Sequence, residues 1–187
     1  MFDGEGFSGA GHIVSPYLDD RAACAVMIET LRRIGENRND LYFLFTVQEE
    51  VGARGAKTAA WEIEPDYGIA VDVTDTDDTP GSRKNGTARL GGGAAIKILD
   101  HSVIAHSDVV KRMEQTAAEH HIAVQRDIML SGGTDGGAIH VTRCGVRTGG
   151  ISIPCRYVHS PVEKVSIQDL EACVRLAAAF AQADLPR

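Results

Sequence analysis

The chain has 187 residues, of which 43% are hydrophobic and 24% charged, a length and balance that suit one domain with a substantial core. A formal net charge of −7 argues against general nucleic-acid or membrane-surface binding, since both need a basic face. No apolar run approaches the roughly 18 residues that span a bilayer, and the opening MFDGEGFSGAGHIVS lacks the basic and apolar regions of a signal peptide, so the expected location is the cytoplasm.

Residues 1–15 form a glycine-rich N-terminal segment, and 16–187 read as a single domain. Cys24, Met27, Ile28, Leu31 and Ile34 recur at three- and four-residue steps and predict a helix over 20–34. Asp19 and Asp20 stand where its N-cap belongs, and Gly35 where a C-cap glycine belongs. LYFLFTV (41–47) is a continuous run of aromatic and branched residues, the pattern of a strand buried on both faces. A helical pattern near 54–61 leads into YGIAVDV (67–73), a second buried strand, and AAIKIL (94–99) reads as a third. A helix follows over Ser107–His121, then strands at 122–129 and 149–154. The last helix begins at Ser166 with Asp169 as a capping-box-like partner, and buries Leu170, Cys173, Val174, Ala177 and Ala181. Cys24, Cys144, Cys155 and Cys173 form no C-x-x-C pair and read as buried or reduced thiols. Alternating helices and apolar strands predict an α/β fold with a mostly parallel sheet covered on both faces.

In such sheets ligands collect beyond the carboxyl ends of the strands. Three polar clusters fall there: Gln48-Glu49-Glu50 after LYFLFTV, Asp72 with Thr74, Asp75, Asp77 and Asp78 in and after YGIAVDV, and Tyr157-Val158-His159-Ser160-Pro161 after GGISIP. Asp19-Asp20-Arg21 opens the first helix. Each alone is ordinarily a solvated pair, a cap or a loop; their joint placement is what points to a site. Crowded carboxylates repel, and burying them unpaired is costly. A divalent cation relieves both, and carboxylates with an imidazole suit zinc, cobalt or manganese. Adjacent Glu49 and Glu50 face opposite ways on an extended backbone, so one can bind metal while the other serves as general base. Ser131–Gly137 is a glycine-rich loop whose amides could cradle an anion or approach a substrate backbone; a simple turn remains the other reading.

SPYLDDRAACAVMIE (15–29), FTVQEEVGARGA (45–56), AVDVTDTDDTPG (70–81), LGGGAAIKILDHS (90–102), LSGGTDGGAIHVTRCGV (130–146) and GISIPCRYVHSPVEKVSIQDL (150–170) together resemble the M42 family of metal-dependent aminopeptidases (glutamyl aminopeptidase/cellulase M type). The resemblance implies a three-layer α/β/α sandwich with a mostly parallel mixed sheet, lacking the family's N-terminal strands and inserted dimerisation domain. It implies hydrolysis of N-terminal residues from peptides through a metal-bound hydroxide, with one or two zinc or cobalt ions per chain. Asp19 would bridge the metals, with a cis Asp19–Asp20 peptide; Glu50 and His159 would complete one site, and Asp72 would join Asp19 at the other. Glu49 would be the general base, and Gly133, Thr134 and Asp135 would lie beside the substrate. The family's second site also takes a histidine from an upstream His-x-Asp motif, which is absent here; the only histidine before Asp19 is His12. Expected partners are therefore peptide substrates and either further copies of the chain or a separate N-terminal chain, with no nucleic acid and no membrane. The rival reading is an inactive or half-site remnant that serves as an assembly or partner subunit. The cellulase label would need two carboxylates across a sugar, and the His/Asp/Glu cluster fits metal hydrolysis better.

Overall fold

A computed structural model of the chain describes residues 7–82 and 85–185. In chain order the elements are β1 (Phe7–Gly9), β2 (His12–Ser15), α1 (Leu18–Arg33), α2 (Arg54–Ile63), β3 (Tyr67–Asp75), β4 (Ala94–Leu99), α3 (Ser107–Glu119), β5 (Val124–Ile128), α4 (Gly136–Ile139), β6 (Arg147–Arg156), β7 (Glu163–Ser166) and α5 (Ile167–Ala181). The strands form one mixed sheet along the path β1-β2-β7-β6-β4-β5, with β3 on β6. Its two longest pairings, β3–β6 and β4–β5, are parallel, as the apolar strand pattern predicts. The antiparallel pairings come from β4 and β7 on β6 and from the short strands β1 and β2, which extend the sheet beyond β7.

The pleat of β6 shows why there are three layers. Paired residues of parallel strands share a face and successive residues alternate. A side chain at Gly149 would meet Val109 of α3, whereas one at Gly68, paired with Thr148, would meet Ile139 of α4. The α3 face carries the core, where Val73, Ile96, Ile151, Ile153 and Cys155 pack with Val26, Met113, Cys173 and Leu176 from the helices. The opposite face buries polar groups instead. Lys97 and Asp127, whose side chains are 2% and 0% exposed, form an ion pair there, and Lys97 Nζ donates to Thr74 Oγ1 at 3.3 Å. No described helix is long and apolar enough to cross a membrane.

Helix ends follow local chemistry in one case and long-range chemistry in another. Asp20 Oδ1 accepts the Ala23 amide at 3.3 Å, the predicted cap of α1. Only part of the predicted apolar stripe is covered, because Ile28 and Leu31 remain 47% and 48% exposed. The Ser166 side chain makes no cap bond to α5. Asp169, expected to complete a capping box, is fully buried and accepts the amides of Gly91 and Gly93 at 2.7 and 2.8 Å. The local motif gives way because a carboxylate removed from water needs its full set of donors.

The clearest departure concerns LYFLFTV. Residues 41–47 enter no ladder, and Tyr42, Phe45 and Val47 are 67%, 49% and 67% exposed. Hydrogen bonds anchor the segment at its carboxyl end, where Gly55 N donates to Val47 O at 3.0 Å and Thr46 Oγ1 to Asp135 Oδ2 at 2.6 Å. A run suited to burial on both faces becomes a strand only with neighbours to pair and cover it, and the described residues supply none.

Removing one partner of the Lys97–Asp127 pair strands a buried charge. Lys97→Met should cost about 3–5 kcal/mol of unfolding free energy in denaturant titrations. Combining it with Asp127→Leu should recover most of that loss.

Candidate metal centre

The site is built by four backbone arms that converge at one end of the sheet. Asp19 and Asp20 stand at the mouth of α1 and are joined by a cis peptide, as the resemblance implies. Asp72 lies within β3, Glu49 and Glu50 on a 3-10 turn spanning Glu49–Val51, and His159 in the β6–β7 connection. His159 Nε2 approaches Asp19 Oδ2 at 3.0 Å and Glu50 Oε2 at 3.4 Å. Asp19, Glu50 and His159 thus form one group with ligand atoms within 4.8 Å of one another, and Asp19, Asp20 and Asp72 form another. Asp19 belongs to both. One imidazole with two carboxylates fits zinc or cobalt, whereas the second group is all oxygen and, among the described residues, includes no histidine. His12 sits on β2 with Nδ1 3.0 Å from Ala10 O, in neither group.

Burial and mutual repulsion dominate the electrostatics. Burial, then Glu50, pushes Asp19 up to about 6. Burial, with Asp72 and Asp19 beside it, pushes Asp20 up to about 10. Asp72 is driven well above the usual carboxylate range by burial and then by Asp19. Glu49 stands outside both groups, yet burial, Asp135 and Glu50 push it up to about 7. Carboxylates gathered this closely favour protons or a cation over ionisation in the open.

A cleft of about 660 Å³ opens beside these groups, lined by Glu49, Glu50, Asp72, His159, Gly133 and Thr134 among others. The glycine loop is tightly braced. Thr134 Oγ1 donates to buried Asp100 at 3.1 Å, its amide donates to Ser102 Oγ at 3.4 Å, and a side chain at Gly137 would collide with Ser102 while one at Gly133 would crowd it. The Gly136 and Gly137 amides bond back to Thr134, so neither is turned to the anion cradle considered from sequence. Asp135 turns toward Thr46 rather than lining the cleft. On the outer rim Arg143 stacks on Trp61 at 3.8 Å and donates to its carbonyl, tying α2 to the end of α4.

Sequence reasoning missed Glu163. Its buried carboxylate accepts the Asp19 amide through Oε2 at 3.0 Å and the His159 amide through Oε1 at 2.9 Å, joining two arms far apart in sequence. Glu163-Lys164-Val165-Ser166 is too short a strand to stand out, although Ser-Pro-Val-Glu is part of the motif that carries the resemblance. Asp20 was read as a cap, which it is, and its place beside Asp72 gave no signal in the sequence. The backbone around the acids is bent hard: Tyr17, Gln48, Tyr157 and His159 all lie in the left-handed region, with φ between 60° and 64°.

A family model described as M42 glutamyl aminopeptidase matches residues 3–176. A putative aminopeptidase of Acetivibrio thermocellus is 48% identical over 175 residues, covering 94% of this chain and 53% of that protein. Among solved structures, aminopeptidase APDkam598 of Desulfurococcus kamchatkensis superposes with a TM-score of 0.94 at 41% identity, over 98% of this chain and 52% of that one. The Pyrococcus horikoshii TET1 peptidase, described as assembling into a tetrahedron or a large octahedral shell, superposes with a TM-score of 0.86 at 32% identity, over 96% and 53%. The chain spans about half the length of the curated relatives it matches.

Asp19 and Glu49 hold protons in the folded chain at pH values where they are ionised in the unfolded chain. Their contribution to stability is complete below about pH 4 and is lost as pH rises through about 6 to 7. With chelator present, thermal melts should therefore show a falling Tm from pH 5 to 7.5, and excess zinc, which needs the ionised carboxylates, should flatten or reverse that slope. Glu163→Gln leaves at least one buried amide facing a donor rather than an acceptor, at a cost of about 1–3 kcal/mol. Zinc affinity measured by competition with a chromophoric chelator should fall about 10- to 100-fold.

Proposed function

The chain belongs to the M42 glutamyl aminopeptidase family, and on that premise we propose that it removes N-terminal residues from peptides with a divalent cation held by Asp19, Glu50 and His159. The observation that carries the reading is the approach of one imidazole nitrogen to two carboxylates, at 3.0 and 3.4 Å, on the wall of an open cleft. A zinc or cobalt ion there would polarise the scissile carbonyl and acidify a water molecule. Asp72, with Asp19 as the shared ligand, would contribute to a second cation; Asp20 lies in the same group.

Glu49 is the general base in this reading. It lines the cleft without belonging to either ligand group, and its pKa, raised to about 7, suits a group that takes a proton from water and returns it to the leaving amine. Gly133 and Thr134 line the cleft and would align the peptide, with Asp135 fastening the loop to Thr46. The acidic charge and unpaired thiols suit a cytoplasmic setting. Self-assembly is proposed by analogy with the shells described for the Pyrococcus horikoshii peptidase.

One observation favours a second reading, that the chain serves as a partner or half-site subunit. The Asp19–Asp20–Asp72 group includes no nitrogen ligand. The two readings separate in one experiment, metal content per chain after zinc or cobalt loading, with aminoacyl-anilide hydrolysis on the same samples. A working peptidase should hold metal and turn over, and Glu49→Gln should retain the metal while losing about 10²- to 10⁴-fold in kcat. One metal or none, with no turnover, would favour the partner-subunit reading.

A further inference from the structure

Asp75 ends β3, lines the same cleft and belongs to neither ligand group. It is half-buried, and among the described residues its carboxylate accepts no hydrogen bond and forms no ion pair. The cations around it are committed elsewhere. Arg156, one residue past the β6 partner of Asp75, donates to Asp78 at 2.8 and 3.0 Å. Lys97 pairs with Asp127, and His159 lies against Asp19 and Glu50. Asp77, whose own carboxylate takes the Gly86 amide, adds a second negative charge nearby. Burial, then Asp77, holds the Asp75 carboxyl above its ordinary range, and a cation bound there would relieve both.

Apolar side chains share the lining with Asp75, namely Val73, Met129, Val141 and Val158. An apolar wall with one unpaired carboxylate matches the side chain of lysine or arginine, whose methylene stem and cationic tip need both. Resting on the peptidase reading above, we propose that Asp75 selects peptides whose N-terminal residue is basic, by pairing with the charged tip of that side chain. The opposite preference, for an acidic residue, would need a fixed cation in the cleft. Lys57 of α2 lines it too, but is exposed and carries its charge on a flexible, strongly hydrated stem. Apart from Lys57 and His159, the charged residues of the lining are acids. A cation held by Asp19, Glu50 and Asp72 would neutralise those three and leave Asp75 its charge.

The test uses the 187-residue chain loaded with zinc. Calorimetry compares free lysine, norleucine and glutamate as ligands; norleucine keeps the lysine stem and lacks its ammonium. The lysyl, norleucyl and glutamyl anilides are hydrolysed on the same samples. Lysine should bind at least about 10-fold more tightly than norleucine, the gain expected of one charge-assisted bond in a partly desolvated site. Asp75→Asn should bring that ratio to about 1, and Asp75→Lys should invert the preference so that glutamate binds more tightly than lysine. Equal binding of lysine and norleucine by the unsubstituted chain, a preference for glutamate, or no binding of any of the three overturns the proposal. So does a lysine preference that survives Asp75→Asn. Lysine-selective binding that depends on Asp75, with no anilide hydrolysed, would count against the peptidase reading alone. Hydrolysis of all three anilides without a lysyl preference would leave that reading standing and remove the role of Asp75.

Discussion

Two hydrogen bonds to one buried carboxylate hold the site's framework together. Glu163 takes the amides of Asp19 and His159 on its two oxygens, so the mouth of α1 and the β6–β7 connection are set at one distance from each other. Asp19 and His159 approach to 3.0 Å through that brace rather than through attraction alone. The brace itself depends on the sheet. Strand β7 begins at Glu163 and pairs with both β2 and β6, which removes from water the carboxylate that the two backbone amides donate to. Burial makes those bonds costly to lose and so makes the geometry stiff.

The same burial that stiffens the frame loads the site with unfavourable charge. Asp19, Asp20, Asp72 and Glu49 are all pushed above their ordinary ranges, first by burial and then by one another. A chain selected for stability alone would dilute such a cluster. Keeping it together is the pattern expected of a site that holds something positively charged. The buried Lys97 lowers the pKa of Asp72, but its own partner is Asp127 on the neighbouring strand.

Much of the fold was legible because its strands are continuous apolar runs. Strands β3, β4 and β6 announced themselves, and the acids and histidine that follow such runs could be placed at one end of the sheet. Helices α1, α3 and α5 were legible from their apolar stripes. What escaped depends on distant neighbours. LYFLFTV carries the composition of a buried strand, but a strand is a relation between chains of residues, and no composition states whether the neighbour is present. Asp169 has the spacing of a local cap and serves instead the amides of Gly91 and Gly93. Glu163 and the Lys97–Asp127 pair were invisible for the same reason: a buried ionic residue reads as an ordinary charge until the fold removes its water.

The left-handed residues around the site have one more consequence. Tyr17, Gln48, Tyr157 and His159 each hold a conformation that costs about 1–2 kcal/mol for a residue with a side chain, and they flank or include the groups that would meet a cation. That strain is released when an arm lets go, which offsets part of what the arm loses in leaving its contacts. The molecule is therefore graded in its resistance to opening, with the arms as the first cooperative unit to yield and the β3–β6 ladder as the last. A protease acting on metal-starved protein would meet the arms near residues 48 and 157 before it met the core.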